Sequence, residues 1–375
     1  MIAKIYSFGV LGLDAYPVEI EVDVAKGLPQ VTLVGLADTA IKESKERVRS
    51  AIKNSGFSWP AQRITVNLAP SNIKKEGATF DLAIALGILA ATEQINPSLL
   101  KDYVFLGELS LDGRLRPVQG VLATSLNMTN FSLKNLVLPE ENGKEAAIIP
   151  NINSYPLKNL NAVVQFLADP QIHPPLKLEI EKILKENSNY NFDFSEVKGQ
   201  YFAKRAIEVA VAGGHNIILL GPPGSGKTML VKRIPTIMPT LLPQEALEIT
   251  KIHSICGTLL NKDGLIGTRP FRAPHHSISD VALIGGGNIP KPGEISLAHY
   301  GVLFLDELPE FNRKALEALR QPLEDNLICV SRIKKTFVFP ACFILAAALN
   351  PCPCETEGMK IWKVRKINLG EYQYP

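Results

Sequence analysis

The segment Gly221-Pro222-Pro223-Gly224-Ser225-Gly226-Lys227-Thr228 restricts the fold of this chain more than any other feature. A loop of this composition works between a buried strand and a helix, where its backbone amides can surround phosphate oxygens. The flanks supply that setting: Asn216-Ile217-Ile218-Leu219-Leu220 predicts a buried parallel strand, and residues 229–234 can continue as a helix. Gly221, Gly224 and Gly226 permit close backbone approach, and the N-terminus of a helix favours negative charge. Pro222, Pro223 and Ser225 complete the cradle, Lys227 reaches the β- and γ-phosphates, and Thr228 ligates Mg²⁺. Further on, Val302-Leu303-Phe304-Leu305 predicts an apolar strand ending in Asp306, to hold the metal, and Glu307, to orient or deprotonate an attacking water. The two motifs in this order imply a nucleoside triphosphate bound with Mg²⁺.

At 375 residues the chain exceeds one ordinary core, so two domains are expected. Lys and Arg total 40 against 37 Asp and Glu, a net +3, so any surface for nucleic acid must be local. The first residues lack a signal-like apolar region, and no run reaches the roughly 18 apolar residues of a membrane span, which makes the cytoplasm the expected location and excludes a membrane partner. Of the five cysteines, Cys256, Cys329 and Cys342 sit in apolar or strand-like surroundings and read as reduced, buried thiols.

Residues 1–168 alternate short strands with two clear helices, an α/β pattern. Asp38 can cap a helix whose inner face carries Ile41, Val48 and Ile52. Residues 80–91 are apolar nearly all round and predict a buried central helix. Asp112-Gly113 between Leu109 and Leu115 predicts a hairpin with a type I′ turn. Composition then shifts to a Pro- and Asn-rich stretch, so residues 169–195 read as a linker, and residues 196–354 follow in the order of a nucleotide-binding α/β sheet.

Beyond the two nucleotide motifs, Val197-Lys198-Gly199-Gln200, Phe271-Arg272-Ala273-Pro274-His275-His276, Pro292-Gly293-Glu294-Ile295-Ser296-Leu297-Ala298-His299 and Asn350-Pro351-Cys352-Pro353-Cys354 resemble the magnesium-chelatase-like AAA+ ATPases of the YifB/ComM type. That resemblance covers Met1 to about Cys354. It implies a leading domain with the fold of the Lon proteolytic domain, then a P-loop AAA+ αβα core, and a hexameric ATPase ring that uses ATP and Mg²⁺ to drive DNA translocation or branch migration. It places Gly199 and Gln200 near the adenine and makes Asn350 the sensor of the γ-phosphate, although a polar residue there also suits a plain turn before Pro351. It puts Arg332, Lys334 and Lys335 on a hairpin, and Arg269, Arg272, His275, His276 and Lys291 on an insertion near the ring pore. Basic groups on such loops can follow a phosphate backbone, and they also decorate any solvated hairpin. For His275 and His276 a metal site is weighed against a hydrogen-bonding role, because neighbours in an extended segment point to opposite faces.

The Lon-like fold raises a Ser/Lys protease, with Thr79 where the nucleophile would stand. The amine expected after Pro117-Val118-Gln119-Gly120 is absent from Val121-Leu122-Ala123-Thr124, and an unactivated hydroxyl is a poor nucleophile. Cys352 and Cys354 give two thiolates where a structural zinc usually needs four ligands. The resemblance also implies an arginine finger, a fifth strand and a helical lid with a second sensor after Cys354; residues 355–375 match none of these and read as a divergent, poorly ordered tail. An arginine finger is worth about 10³ to 10⁵ in rate, so its loss is expected nearly to abolish turnover by this chain, while ATP binding survives in weakened form. The alternatives are an ATPase assisting metal insertion into a tetrapyrrole and a non-catalytic nucleotide-binding fragment.

Overall fold

A computed structural model describes residues 2–259, 264–287, 290–332 and 335–350. The first half is built on a mixed seven-stranded sheet in the order β3-β4-β2-β1-β5-β8-β9. Its strands are β1 (Ile2–Leu11), β2 (Asp14–Ala25), β3 (Gln30–Val34), β4 (Arg63–Ala69), β5 (Tyr103–Phe105), β8 (Asn135–Pro139) and β9 (Asn153–Leu157), with β6 (Glu108–Leu109) and β7 (Leu115–Arg116) as a side hairpin. The helices are α1 (Thr39–Asn54), α2 (Asp81–Ala91), α3 (Val121–Met128), α4 (Gly143–Ala147) and α5 (Leu160–Ala168).

Each expected helix forms for the reason given by its sequence. Asp38 accepts the Ile41 amide at 2.8 Å, and Ile41, Val48 and Ile52 turn inward from α1. All eleven residues of α2 are buried. Gly87 lets that helix lie directly on the sheet, since a Cβ there would sit 2.5 Å from Val22 Cγ2 and 2.7 Å from Ile5 Cδ1. The β6–β7 connection differs from the expected two-residue turn. Gly113 alone takes positive φ, Gly113 donates to Ser110 O, and Ser110 donates to Arg114 O, so a longer loop closes with a single left-handed glycine.

The connecting stretch contains α6 (Ile180–Glu186), whose Ile183 is buried with Ile148 of the first half and Ile249 of the second. Residues 169–195 are thus packed against both halves and do not run free between them.

The second half holds a parallel four-stranded sheet in the order β10-β17-β14-β11, formed by β10 (Ile217–Leu220), β11 (Phe271–Arg272), β14 (Val302–Leu305) and β17 (Ile344–Leu349). Around it lie α7 (Tyr201–Gly213), α8 (Lys227–Lys232), α9 (Pro243–Cys256), α10 (Asp280–Ile284), α11 (Glu294–Leu297), α12 (Arg313–Glu317) and α13 (Arg320–Asp325). Two short hairpins complete it, β12 (Gly285–Gly286) with β13 (Lys291–Pro292), and β15 (Leu327–Arg332) with β16 (Lys335–Pro340).

One face of the sheet packs on Ile207, Leu230 and Val231, the other on Phe311, Ala315 and Phe339. The second cover stops short of β10, the edge strand among the described residues, leaving Ile218 58% and Leu220 72% exposed. The expected buried strand is therefore parallel but open on one face. The thiols differ from expectation too: Cys329 is exposed, and Cys256 and Cys342 are half-buried, with desolvation pushing Cys256 up to about 11.

The halves share more than a connector. The C-terminal end of α9 enters the first half, where Ile255 joins a core with Val121 and Leu122. Beside it the buried Glu145 carboxylate accepts from Leu122 N at 2.8 Å, from Asn142 Nδ2 and from Ser254 Oγ, while Ser254 Oγ accepts from Gly120 N. Burial raises the pKa of Glu145, and these donors oppose the rise.

Candidate functional site

The nucleotide motifs meet where the parallel strands end. Leu220 pairs with Leu349, and Leu305 pairs with Ala347, so Gly221, Asn350 and Asp306 leave adjoining strand tips at similar heights. Gly224 (φ +77°) and Gly226 (φ +87°) adopt backbone open chiefly to glycine, which curls the loop into the start of α8. Gly199 and Gln200 also take positive φ, and Gln200 Nε2 donates to Ser225 O at 3.1 Å, fastening the entry to α7 onto the loop.

The polar groups converge. Thr228 Oγ1 donates to Asp306 Oδ2 at 2.8 Å, although the two are 78 residues apart in sequence. Lys227 Nζ donates to Asn350 Oδ1 at 2.9 Å, to Gly221 O at 2.6 Å and to Pro222 O at 3.0 Å. Asp306 Oδ1 accepts from Glu307 N at 3.0 Å, and Glu307 is held at φ +54°. The loop is turned toward solvent, with Pro222, Pro223 and Gly224 exposed.

This donor set fits a phosphate–magnesium ligand. Mg²⁺ prefers one or two oxygen ligands from protein plus substrate phosphate and water, and the Thr228 hydroxyl and Asp306 carboxylate are hard oxygen donors already in contact. The Ser225 hydroxyl is buried in the cradle without a partner. Among the described residues no group of three or more His, Cys, Asp or Glu could hold a metal by protein ligands alone. The rings of His275 and His276 stack at 4.0 Å instead of facing apart, and His275 Nδ1 meets Ser277 Oγ at 2.8 Å, because the segment turns and does not stay extended.

The basic residues separate into two kinds. Arg269 is structural: its guanidinium donates to Pro239 O, Tyr300 O, Thr240 O and Glu245, and its side chain is 10% exposed. Arg272 is held by Glu294 through two bonds of 2.6 Å. Arg269 is thereby committed to the fold, whereas Arg272, 30% exposed, keeps donors that Glu294 does not take up. Lys291 is exposed and bonds Gln119 Oε1 across the halves at 3.0 Å. Arg332 and Lys335 pair in the β15–β16 register, but their side chains, together with Lys334, Cys352, Cys354 and residues 355–375, lie outside the described residues.

A second cleft opens mainly on the first half, a cavity of about 460 Å³ lined by Thr79, Thr124, Gln119 and Glu108 and, from the second half, by Ile255 and Lys291 among others. The amine on this lining comes from the second half and is engaged by Gln119. Two long-range contacts escaped the sequence reading: the Glu145–Ser254 bond, between residues 109 apart in sequence, and a contact of His276 with Glu307. No local pattern signals the first; adjacency of the two strand tips would have signalled the second.

These features define a mixed α/β protein with a glycine-rich loop at one end of a parallel sheet. The profile of the family described as "Magnesium chelatase, subunit ChlI" matches residues 193–373, and that of "Subunit ChlI of Mg-chelatase" matches residues 20–142. The chain is 48% identical over 354 residues to the competence protein ComM of Haemophilus influenzae, covering 94% of this chain and 69% of that protein. It is 44% identical to the YifB protein of Escherichia coli K12 over 93% of this chain and 68% of that one. A Lon protease of Brevibacillus choshinensis is 24% identical over 158 residues, 39% of this chain and 20% of the protease. The chain belongs to the magnesium-chelatase-like family of the YifB/ComM type. Among the described residues no helix is long and apolar enough to cross a membrane.

Proposed function

We propose that this chain binds ATP with Mg²⁺ at the strand tips of its second half and hydrolyses it as part of a cytoplasmic AAA+ ring. The observation that carries this reading is the pair of contacts Thr228–Asp306 and Lys227–Asn350, which unites four residues of three motifs at one end of a parallel sheet. Lys227 exchanges the carbonyl oxygens of Gly221 and Pro222 for phosphate oxygens, and the loop amides between Gly221 and Thr228 take the remainder. Thr228 and Asp306 hold Mg²⁺, which when bound offsets phosphate charge. Glu307 accepts a proton from water as the water oxygen attacks the γ-phosphorus and the bond to the β,γ-bridging oxygen breaks, leaving ADP and inorganic phosphate. Asn350 hydrogen-bonds the γ-phosphate or that water, and Gly199 and Gln200 stand beside the base.

We propose further that the cycle is coupled to DNA, with a hexamer translocating or migrating branched strands; a relative in Haemophilus influenzae bears the name competence protein. Lys291, Arg332, Lys334 and Lys335 are the candidate cations for that contact. The family description favours a second reading, an ATPase assisting metal insertion into a tetrapyrrole. Thermal unfolding with and without Mg·ATP tests the nucleotide site: stabilisation is expected and should vanish in Lys227→Ala, whereas no stabilisation of the unaltered chain sinks the proposal. Salt-sensitive binding to forked DNA, weakened when Arg332, Lys334 and Lys335 are neutralised, separates the two readings.

A further inference from the structure

The cleft of about 460 Å³ is lined by two threonine hydroxyls that have no hydrogen-bond partner among the described residues. Thr124 sits one turn into α3, is 2% exposed, and still turns its side chain onto this lining. Keeping a buried hydroxyl without a partner costs the fold free energy, which a hydrogen-bonding ligand recovers. We propose that the cleft binds a short peptide with both ends free: its ammonium meets Glu76 and Glu108, its carboxylate meets Lys291 and the Gln119 amide, and its peptide groups bond Thr79 and Thr124. The proposal is independent of the ATPase reading, and no bond is made or broken in it.

The charges on the lining fall into two sets, each tied to one of the hydroxyls. Glu76 lies three residues before Thr79, and Glu108 follows Gly107, whose amide donates to Thr79 O at 2.9 Å. Gln119 precedes Gly120, whose carbonyl accepts from the Thr124 amide at 3.0 Å, and Gln119 Oε1 accepts from Lys291 Nζ at 3.0 Å. Neither set is spent. Glu76 is 34% exposed with one oxygen on Lys74, Glu108 is 31% exposed and 3.5 Å from Arg116, and Lys291 keeps two further protons beyond the one given to Gln119. Asp38 also lines the cavity, but its oxygens serve the amides of Ile41 and Gly77. A simple cation would stand against Lys291 and a simple anion against two carboxylates, so a ligand bearing both charges fits best. Phe8, Val10 and Ile255 supply the apolar part of the wall. The volume lies within the roughly 300–1,000 Å³ of small-ligand sites and takes a chain of about two to four residues. Since Lys291 comes from the second half, an occupied cleft adds a link between the halves beside the one made by Gln119.

Methyl NMR of the full chain, labelled at threonine, tests this with the tripeptide Ala-Leu-Ala as probe. The Thr79 and Thr124 methyl signals should shift saturably at millimolar peptide, while that of Thr228 at the strand tips should stay in place. N-acetylation and C-terminal amidation of the probe should each weaken binding about 10-fold, the scale of a charged hydrogen bond. Thr124→Val keeps the side-chain shape and removes the hydroxyl; read at Thr79, it should weaken the free peptide about fivefold at an unchanged or higher Tm. Thr79→Val, read at Thr124, is the second variant should the first fail to fold. Lys291→Met should weaken the free peptide as much as amidation does and should weaken the amidated probe no further, a pattern that a merely structural lysine would not give. No saturable shift, a capped probe that binds as tightly as the free one, or wild-type affinity in the threonine variants or in Lys291→Met overturns the proposal.

Discussion

The cleft of the first half and the strand tips of the second are both concave, and they differ in what converges on them. At the strand tips an ammonium, a hydroxyl, a carboxylate and an amide meet within hydrogen-bond reach. In the cleft the hydroxyls of Thr79 and Thr124 share the lining with an amine supplied by Lys291 of the other half, and Gln119 holds that amine. A concave shape is inherited with a fold, whereas chemistry needs several side chains to arrive together. Weak similarity to a Lon protease, 24% identity over 39% of this chain, therefore does not by itself argue for peptide cleavage.

The strongest way to break this contrast is to disable each concavity in turn. Lys227→Ala should remove all Mg·ATP stabilisation, a loss of about 3–4 kcal/mol at ligand concentrations of about 100 to 1,000 times Kd. Thr79→Ala should leave that stabilisation intact, and the unaltered chain should release no product from an unfolded casein substrate. Measurable peptidase activity lost in Thr79→Ala would reverse the assignment.

A second test concerns Asp81, a perturbed carboxyl just behind the cleft. Burial raises its pKa from 3.8 to about 6 despite Arg47, whose Nε lies 2.8 Å away, and the bond from Leu109 N. Perturbed carboxyls often mark active sites, but this one is 1% exposed and faces its partners, not the cavity. A pKa raised on folding means that the native state holds the proton more tightly. The contribution is full below about pH 4 and is lost as pH rises through about 6, an effect of about 3 kcal/mol across the window. Chemical denaturation of the wild type against Asp81→Asn should show that slope in the difference between them. A flat difference would mean that Asp81 is ionised in the native protein at all these pH values.

The Ser254–Glu145 bond ties α9 of the second half to the first half. Ser254→Ala leaves the buried Glu145 short of a donor and should cost about 1–2 kcal/mol, read as a lower denaturation midpoint. If the halves unfold as one cooperative unit, a single transition should persist. Two separated transitions in the variant would show that this contact is what couples them.

The convergence of residues at the strand tips was legible because its motifs are local: six consecutive residues from Gly221 to Gly226 state the loop, and Asp306 follows an apolar run. Helices α1 and α2 were legible for the same reason, through one cap and one apolar stretch. What stayed hidden depends on neighbours distant in sequence. The exposure of Ile218 and Leu220 follows from the edge position of β10, which composition cannot state. The stacking of His275 on His276 follows from a turn that the pattern of an extended segment does not reveal. Arg269 looked like any basic residue of a surface loop until its carbonyl partners, about 30 residues away in sequence, were in place.

The smallest expected effect sharpens this last point. Arg269 and Lys291 carry the same charge and belong to the same insertion, yet the structure gives them different work. Arg269→Met removes a largely buried guanidinium from three carbonyls and Glu245, leaving acceptors unpaired, and should cost about 2–4 kcal/mol. Lys291→Met breaks one exposed bond to Gln119 and should change stability by no more than about 0.5 kcal/mol. A lysine that is cheap to remove from the fold is available for a ligand. Salt-dependent DNA binding should therefore fall in Lys291→Met at unchanged stability, by about one counterion in the slope of log K against log salt. A slope equal to wild type would confine Lys291 to its contact with Gln119 and leave the β15–β16 hairpin as the remaining basic surface to test.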